Sequence, residues 1–263
     1  MTIESDAGTY HLERGQINWQ SPDADGIPLN QVTISNMTDL FTGIEADRVI
    51  EDGSSYFSQF GLETPQYRIT VSGDSMEKVY LIGDLNYTLG QYYVAIEGEP
   101  QVYLIAQSDV ENTMKTLLQL VDDPELSDTQ SSEIISLDVN GTEGRFTATL
   151  EDDVFVFESD GERYEGDAYS ALDVYYSLKN LAYTSCVSFD ASDAELDSYG
   201  LQTPDIVIGF RLTDTDDLYL VKIGQGEDGN YYLSSGNDRI VYQITEEEYD
   251  GLNEDTQLSN LIE

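Results

Sequence analysis

Gln59-Phe60-Gly61-Leu62-Glu63-Thr64-Pro65 returns 139 residues later as Ser198-Tyr199-Gly200-Leu201-Gln202-Thr203-Pro204. The block reads as the end of a short helix followed by a strand. Gly61 and Gly200 suit the left-handed position just past a helix end, where a Cβ would clash. The next leucine can then reach back to the last turn, Leu201 toward Leu196 and Leu62 toward Phe57, as a Schellman ending requires. Pro65 and Pro204 prevent the helix from resuming and start extended chain. Ser192 with Glu195 forms a capping box that opens the helix in the second occurrence. A glycine-leucine pair can also suggest a phosphate loop, but the capped helix end accounts for the whole block.

Two more blocks keep the same spacing. Gln91-Tyr92-Tyr93-Val94 matches Asn230-Tyr231-Tyr232-Leu233, and Val102-Tyr103 matches Val241-Tyr242. A constant offset over three separated blocks predicts two copies of one unit. The period is domain-sized and far exceeds the ~20–50 residues of a solenoid repeat, so each copy can hold its own core. The expected division is a first repeat over 1–125, a linker over 126–131 and a second repeat over 132–263.

Apolar alternation around Leu12, Ile17 and Trp19, and around Leu150, Phe155 and Phe157, predicts a β-hairpin in each copy. Met37, Leu40, Phe41 and Ile44 form a helical stripe, as do Ala171, Val174, Tyr175 and Leu178. Short strands are expected at 46–50 and 185–189. After each proline come four strand-like runs, with turns expected at Gly83-Asp84 and Gly224-Gln225. Capping boxes at Ser108 with Glu111 and Thr245 with Glu248 announce a closing helix in each copy. The first of these helices should carry Val110, Met114, Leu117, Leu118 and Val121 on one face. Copy two opens with the run 134–139, whose counterpart in copy one falls at or before residue 1. The first copy is therefore expected to lack its first strand, downstream of a removed signal or membrane anchor. The fold class expected is α+β, two tandem repeats of a similar domain, each a mainly antiparallel sheet with two to three helices.

Acids outnumber bases 52 to 11, a formal net charge of −41. Residues 1–128 hold 22 acids and 5 bases, and residues 129–263 hold 30 and 6, so both copies share the bias. A field of that sign repels nucleic-acid phosphates and anionic lipid heads, so neither is expected as a direct partner. It also solubilises the chain. No stretch approaches the ~20 apolar residues of a membrane span.

The search for chemistry is short. His11 is the single histidine and Cys186 the single cysteine, so neither a zinc set nor an intrachain disulfide can be assembled. His11 sits in the first hairpin without a nucleophile motif, and Cys186 sits in a strand context. Calcium is the one candidate metal. Asp23 and Asp25, and Asp214, Asp216 and Asp217, are clustered oxygen ligands in expected turns, as is the run 227–230, but none has the twelve-residue EF-hand spacing. Carboxylate pairs of the kind that hydrolyse glycans are available in number, and nothing selects one. In the Tyr-Tyr strands, alternation puts Tyr92 with Val94 and Ile96 on one face and Tyr93 on the other. Tyr231 and Tyr232 follow the same phase. Tyr93 and Tyr232 are thus expected as matched surface contacts for a glycan or protein partner, unless helices cover both sheet faces.

Gly61, Leu62, Pro65, Ile82, Gly83, Tyr92, Tyr93, Val94, Val102, Tyr103 and Leu104 resemble the bacterial family filed as domain of unknown function 4340. Gly200, Leu201, Pro204, Ile223, Gly224, Tyr231, Tyr232, Leu233, Val241 and Tyr242 repeat the pattern. The resemblance implies an extracytoplasmic ectodomain, anchored to the membrane at its N terminus in the full-length protein. It also implies links to ABC-transporter or gliding-motility systems. It implies no catalytic residues. The expected function is a non-enzymatic binding or assembly module of a bacterial envelope, with an envelope protein or glycan as partner and no required cofactor. A carboxylate-based glycan hydrolase and a calcium-dependent adhesin are the rival readings.

Overall fold

The structure, a computed structural model, describes residues 1–43, 45–73, 77–124, 134–152, 154–166, 170–213, 218–236 and 239–262. Ile44 of the first helical stripe, the expected linker 126–131, and Asp214, Asp216 and Asp217 lie outside the described residues. The chain forms two compact units, Met1–Asp122 and Asp123–Glu263.

The first unit contains β1 (Thr2–Ser5), β2 (Gly8–His11), β3 (Glu13–Arg14), β4 (Trp19–Gln20), α1 (Gln31–Thr42), β5 (Arg48–Ile50), β6 (Tyr67–Ser72), β7 (Glu77–Asn86), β8 (Gln91–Ile96), β9 (Val102–Ala106) and α2 (Gln107–Glu111). Its main sheet is antiparallel in the order β2-β1-β6-β7-β8-β9-β5, and β3-β4 pair apart from it. The second unit contains β10 (Ile134–Gly141), β11 (Gly144–Glu151), β12 (Val154–Ser159), β13 (Glu162–Glu165), α3 (Ser170–Lys179), β14 (Tyr183–Ser188), α4 (Asp193–Ser198), β15 (Ile206–Leu212), β16 (Leu218–Gln225), β17 (Tyr231–Ser235), β18 (Val241–Ile244), α5 (Glu246–Asp255) and α6 (Leu258–Leu261). Its sheet runs β13-β12-β11-β10-β15-β16-β17-β18-β14. The last seven strands repeat the order of the first unit's sheet, with β12 and β13 added at one edge.

Each sheet has one face on a main core and the other partly covered by the glycine-leucine block. In the second unit, Val139, Ile208, Phe210 and Ile223 pack on Ala171, Val174, Tyr175 and Leu178 of α3, with Leu252 and Leu261 from the last two helices. On the opposite face Leu196 and Leu201 pack on Tyr232 and Val241. The helix ending follows the sequence reading closely. Ser192 and Glu195 form both bonds of the capping box. Gly200 has φ +74°, and the Leu201 amide donates to the Leu196 carbonyl at 2.8 Å. In the first unit Gly61 has φ +69° and the Leu62 amide donates to the Phe57 carbonyl. There the preceding turn is a kinked 3₁₀ stretch, Gly53–Gln59, without a side-chain cap.

Three expectations are corrected. First, a stretch of the opening strand expected to be missing from the first unit is present: β1 pairs with β6 as the later part of β10 pairs with β15. Ile3 lies opposite Ile69 and Val139 opposite Ile208, so the spacing here is 136 residues and not 139. The same register sets Trp19 opposite Arg14 and Phe155 opposite Leu150, which shifts the hairpin alignment by two residues. Second, Gly83 and Gly224 are not turn residues but lie within β7 and β16. The glycine-leucine block packs directly on them, so a glycine in mid-strand permits the close backbone approach. Third, α2 ends at Glu111, Ser108 does not cap it, and the chain continues irregularly to a 3₁₀ turn at Leu118–Leu120. Tertiary bonds hold this segment out of a helix. Tyr10 Oη donates to the Lys115 carbonyl at 2.8 Å, and the Asn30 amide donates to the Leu120 carbonyl at 2.9 Å.

Burial raises the pKa values of several acids that ionise at high pH. The Cys186 thiol is pushed up to about 11 and the hydroxyls of Tyr232 and Tyr249 to about 12, in each case chiefly by burial, while Tyr10 and Tyr183 move the same way. A group whose pKa is higher when folded adds stability that is complete below its unfolded value and fades as pH rises through the folded one. Urea unfolding is therefore expected to give equal stability at pH 7 and pH 8.5 and a clear loss at pH 11. Equal stability at pH 8.5 and pH 11 would contradict the burial of these groups.

Candidate binding surface

The half of the second unit's outer sheet face that α4 does not cover is a shallow groove of about 570 Å³ over β10, β11, β15 and β16. Strand alternation decides what it presents. Val139, Phe146, Ile208 and Val221 point into the core, so their neighbours point out. Register then arranges the outward side chains in three rows across the four strands. They are Arg145-Asn140-Val207-Lys222, Thr147-Asp138-Gly209-Leu220 and Thr149-Ser136-Arg211-Leu218. Gly209 makes a low point in the middle row, because it puts no side chain over the sheet between Asp138 and Leu220.

The charge on this patch departs from that of the chain. Three of the chain's 11 bases stand here, with Asp138 as the single acid of the twelve positions. Arg145 is paired with Asp138 at 2.9 Å. Arg211 is exposed and has no ion-pair partner among the described residues. The first unit differs: on its outer face Arg68 holds Glu97 through two bonds, at 2.7 and 2.8 Å, and Glu4 at 3.4 Å. Leu218 is half exposed beside Arg211, so the groove offers a cation next to an uncovered aliphatic surface.

Tyr93 and Tyr232 do lie on the outer faces, but not as free contacts. Tyr232 is 5 % exposed, packed at 4.6 Å against Tyr199, and its hydroxyl donates to Asp228 at 2.7 Å. Tyr93 is half buried, stacked on Phe60 at 4.3 Å, and its hydroxyl accepts from Asn86. The glycine-leucine block covers both tyrosines, and that was invisible to strand alternation alone.

Of the described calcium candidates, Asp23 and Asp228 are engaged in hydrogen bonds. The backbone N and Nδ1 of His11 meet the Asp23 carboxylate at 2.6 and 2.9 Å, and these bonds hold its pKa below the usual range. Asp25 is exposed nearby. Asp228 is lowered in the same manner, first by the Tyr232 hydroxyl and then by Asn230. No group of three or more His, Cys, Asp or Glu converges among the described residues. Among the described residues, the carboxyls whose pKa departs from the ordinary value, Asp23, Glu97, Glu195 and Asp228, are all lowered, the opposite of what a general acid needs.

The groove residues were missed in sequence, although a signal was present. Val207, Gly209 and Arg211, and Leu218, Leu220 and Lys222, each alternate with core residues, and that marks an outer face with cations. What covers that face is a tertiary fact. No curated protein and no solved structure matches this chain. The family model described as a domain of unknown function, DUF4340, matches residues 19–204, which is more than half of the sequence. The chain is a member of that family.

Proposed function

We propose that the protein is a binding or assembly module whose second unit docks a protein partner in the groove over Gly209. The observation that carries this reading is exposed Arg211, without an ion-pair partner among the described residues, beside half-exposed Leu218 and partly buried Leu220 on a face left open by α4. Arginine is among the residues enriched at interface centres. None of the twelve described positions carries an aromatic ring on which a sugar could stack, which favours a protein partner over a glycan. The partner segment that fits is extended and carries an acidic side chain for Arg211 and an aliphatic one for the depression at Gly209. Within this reading the partner is an envelope protein. The domains act outside the cytoplasm, held by an N-terminal anchor in the full-length protein and accessory to a transporter or motility system. The family resemblance supports that setting, and protease accessibility in intact cells tests it.

Synthetic peptides that alternate Leu with Glu serve as the probe, with Leu-Lys peptides as controls. The Leu-Glu peptide is expected to move the amide resonances of Thr147, Gly209 and Leu220. Arg211→Glu should weaken it roughly tenfold or more, as removal of a central interface arginine does. Its salt response should be unusual. The chain's overall charge repels an acidic peptide at long range, while the Arg211 contact acts only at short range. Raising salt from 10 mM to 150 mM shortens the screening length from about 30 to about 8 Å, so association should become faster. Equal binding of the Arg211→Glu variant, or resonance changes elsewhere only, would remove the groove as the docking site.

A further inference from the structure

The groove over Gly209 ends against the glycine-leucine block, and that end is cationic. The outward positions along β16 are Leu218, Leu220, Lys222 and Gly224. Beside the first three, β15 presents Arg211, Gly209 and Val207. Over Gly224 the track stops. The Gly200 carbonyl oxygen lies 2.5 Å from the point where a Cβ on Gly224 would stand, so the block occupies the space above that position. The chain of the block then descends through Pro204 into β15, which closes the neighbouring strand as well. Exposure falls toward this end: Leu218 is half exposed, whereas Leu220 and Lys222 are partly buried.

A segment lying along the strands therefore meets three rows, about 7 Å apart. The row at the closed end, Arg145-Asn140-Val207-Lys222, holds two cations, one amide and no acid. The middle row has the depression at Gly209, and the outer row has Arg211 beside Leu218. Chain that reaches Lys222 has to end there or turn away from the sheet. A chain that ends brings a carboxylate, the group that ammonium and amide donors bond most strongly. Capture of a terminal carboxylate is one of the recurring modes of peptide recognition. The first unit has no such track: Leu81, Thr70 and Ser72 stand where the second has Lys222, Gly209 and Arg211.

Resting on the docking reading above, we propose that the groove captures the C-terminal tail of its protein partner. The terminal carboxylate lies at Lys222, the last side chain is aliphatic and sits over Gly209, and the side chain two positions earlier is acidic and meets Arg211. Alternate residues of an extended chain share a face, so the tail reads acid, any residue, aliphatic, carboxylate. The probe is a short synthetic peptide ending in Glu-Ser-Leu with a free carboxylate. It is compared with its C-terminal amide and with the same peptide extended by Gly-Ser, by titrating the amide resonances of Gly209 and Leu220 in the full chain. The free acid should bind about tenfold tighter than either of the others, as a hydrogen bond to a charged group allows. Lys222→Met should remove that tenfold advantage, and Arg211→Glu should weaken all three peptides. If Lys222→Met fails to fold, the three peptides on the wild-type chain still decide. Equal affinity of all three at Gly209 and Leu220 would leave docking in place and overturn tail capture. An undiminished advantage of the free acid on Lys222→Met would overturn it too. If no peptide moves these resonances, the docking reading fails and tail capture fails with it.

Discussion

Gly224→Ala is expected to destabilise the second unit by about 3 kcal/mol or more, and Gly83→Ala to do the same to the first, in the range reserved for severe steric conflict. A Cβ on Gly83 would stand 2.1 Å from the Phe60 carbonyl oxygen, and one on Gly224 would stand 2.5 Å from the Gly200 carbonyl oxygen. Both obstacles are backbone, so no rotamer change relieves them. The Phe60 carbonyl is also held in place, accepting from the Asp84 amide at 2.8 Å. Relief requires the whole helix ending to lift off the sheet. That would expose Leu62 or Leu201, now 2 % and 3 % exposed, and each such leucine is worth about 1.5–3 kcal/mol of burial. Gly251→Ala is the control. Gly251 lies in α5 with nothing within 4 Å of the added Cβ, so the change should be neutral or stabilising by up to about 1 kcal/mol. Urea unfolding measures all three variants. A Gly224→Ala protein within about 1 kcal/mol of wild type would show that the block does not rest on the strand.

The same glycines show where sequence reasoning stops. Gly61 and Gly200 were legible because their requirement is local: a helix end with positive φ is written in the residues on either side. Gly83 and Gly224 need to be glycine because of a segment some twenty residues away in sequence, so they were read as turns. The strands after each proline were legible through period-two alternation. The closing helix of the first copy was overread, because Met114 and Leu117 serve the core from irregular chain as well as they would from a helix. The opening strand was missed because one constant spacing was applied where the register had changed by three residues. Arg211 and Lys222 were readable as outward positions, yet their significance depends on α4 covering the other half of the face.

The other large effect lies at Phe210, 1 % exposed in the second unit's core. Phe210→Ala should cost the second unit about 3–5 kcal/mol, the usual price of removing a fully buried aromatic ring. Phe210 makes two ring contacts, with Tyr175 and Tyr219, so its loss removes both the apolar burial and the aromatic pairing. Tyr175 is 1 % exposed and held within α3, which also carries Ala171, Val174 and Leu178 against the sheet. Collapse into the gap is therefore restricted, and most of the void should persist. In the first unit the matching site is the partly buried Val71. In the second unit β11 to β13 stay in the main sheet, and Leu261 joins the same core. Val71→Ala should cost under about 1.5 kcal/mol, since it removes only two methyl groups from a partly exposed site. The two losses, measured side by side by urea unfolding, separate a fully buried ring from a partly exposed valine on the same strand order. Equal costs at the two positions would mean that the Phe210 ring does not support the second core as its burial requires.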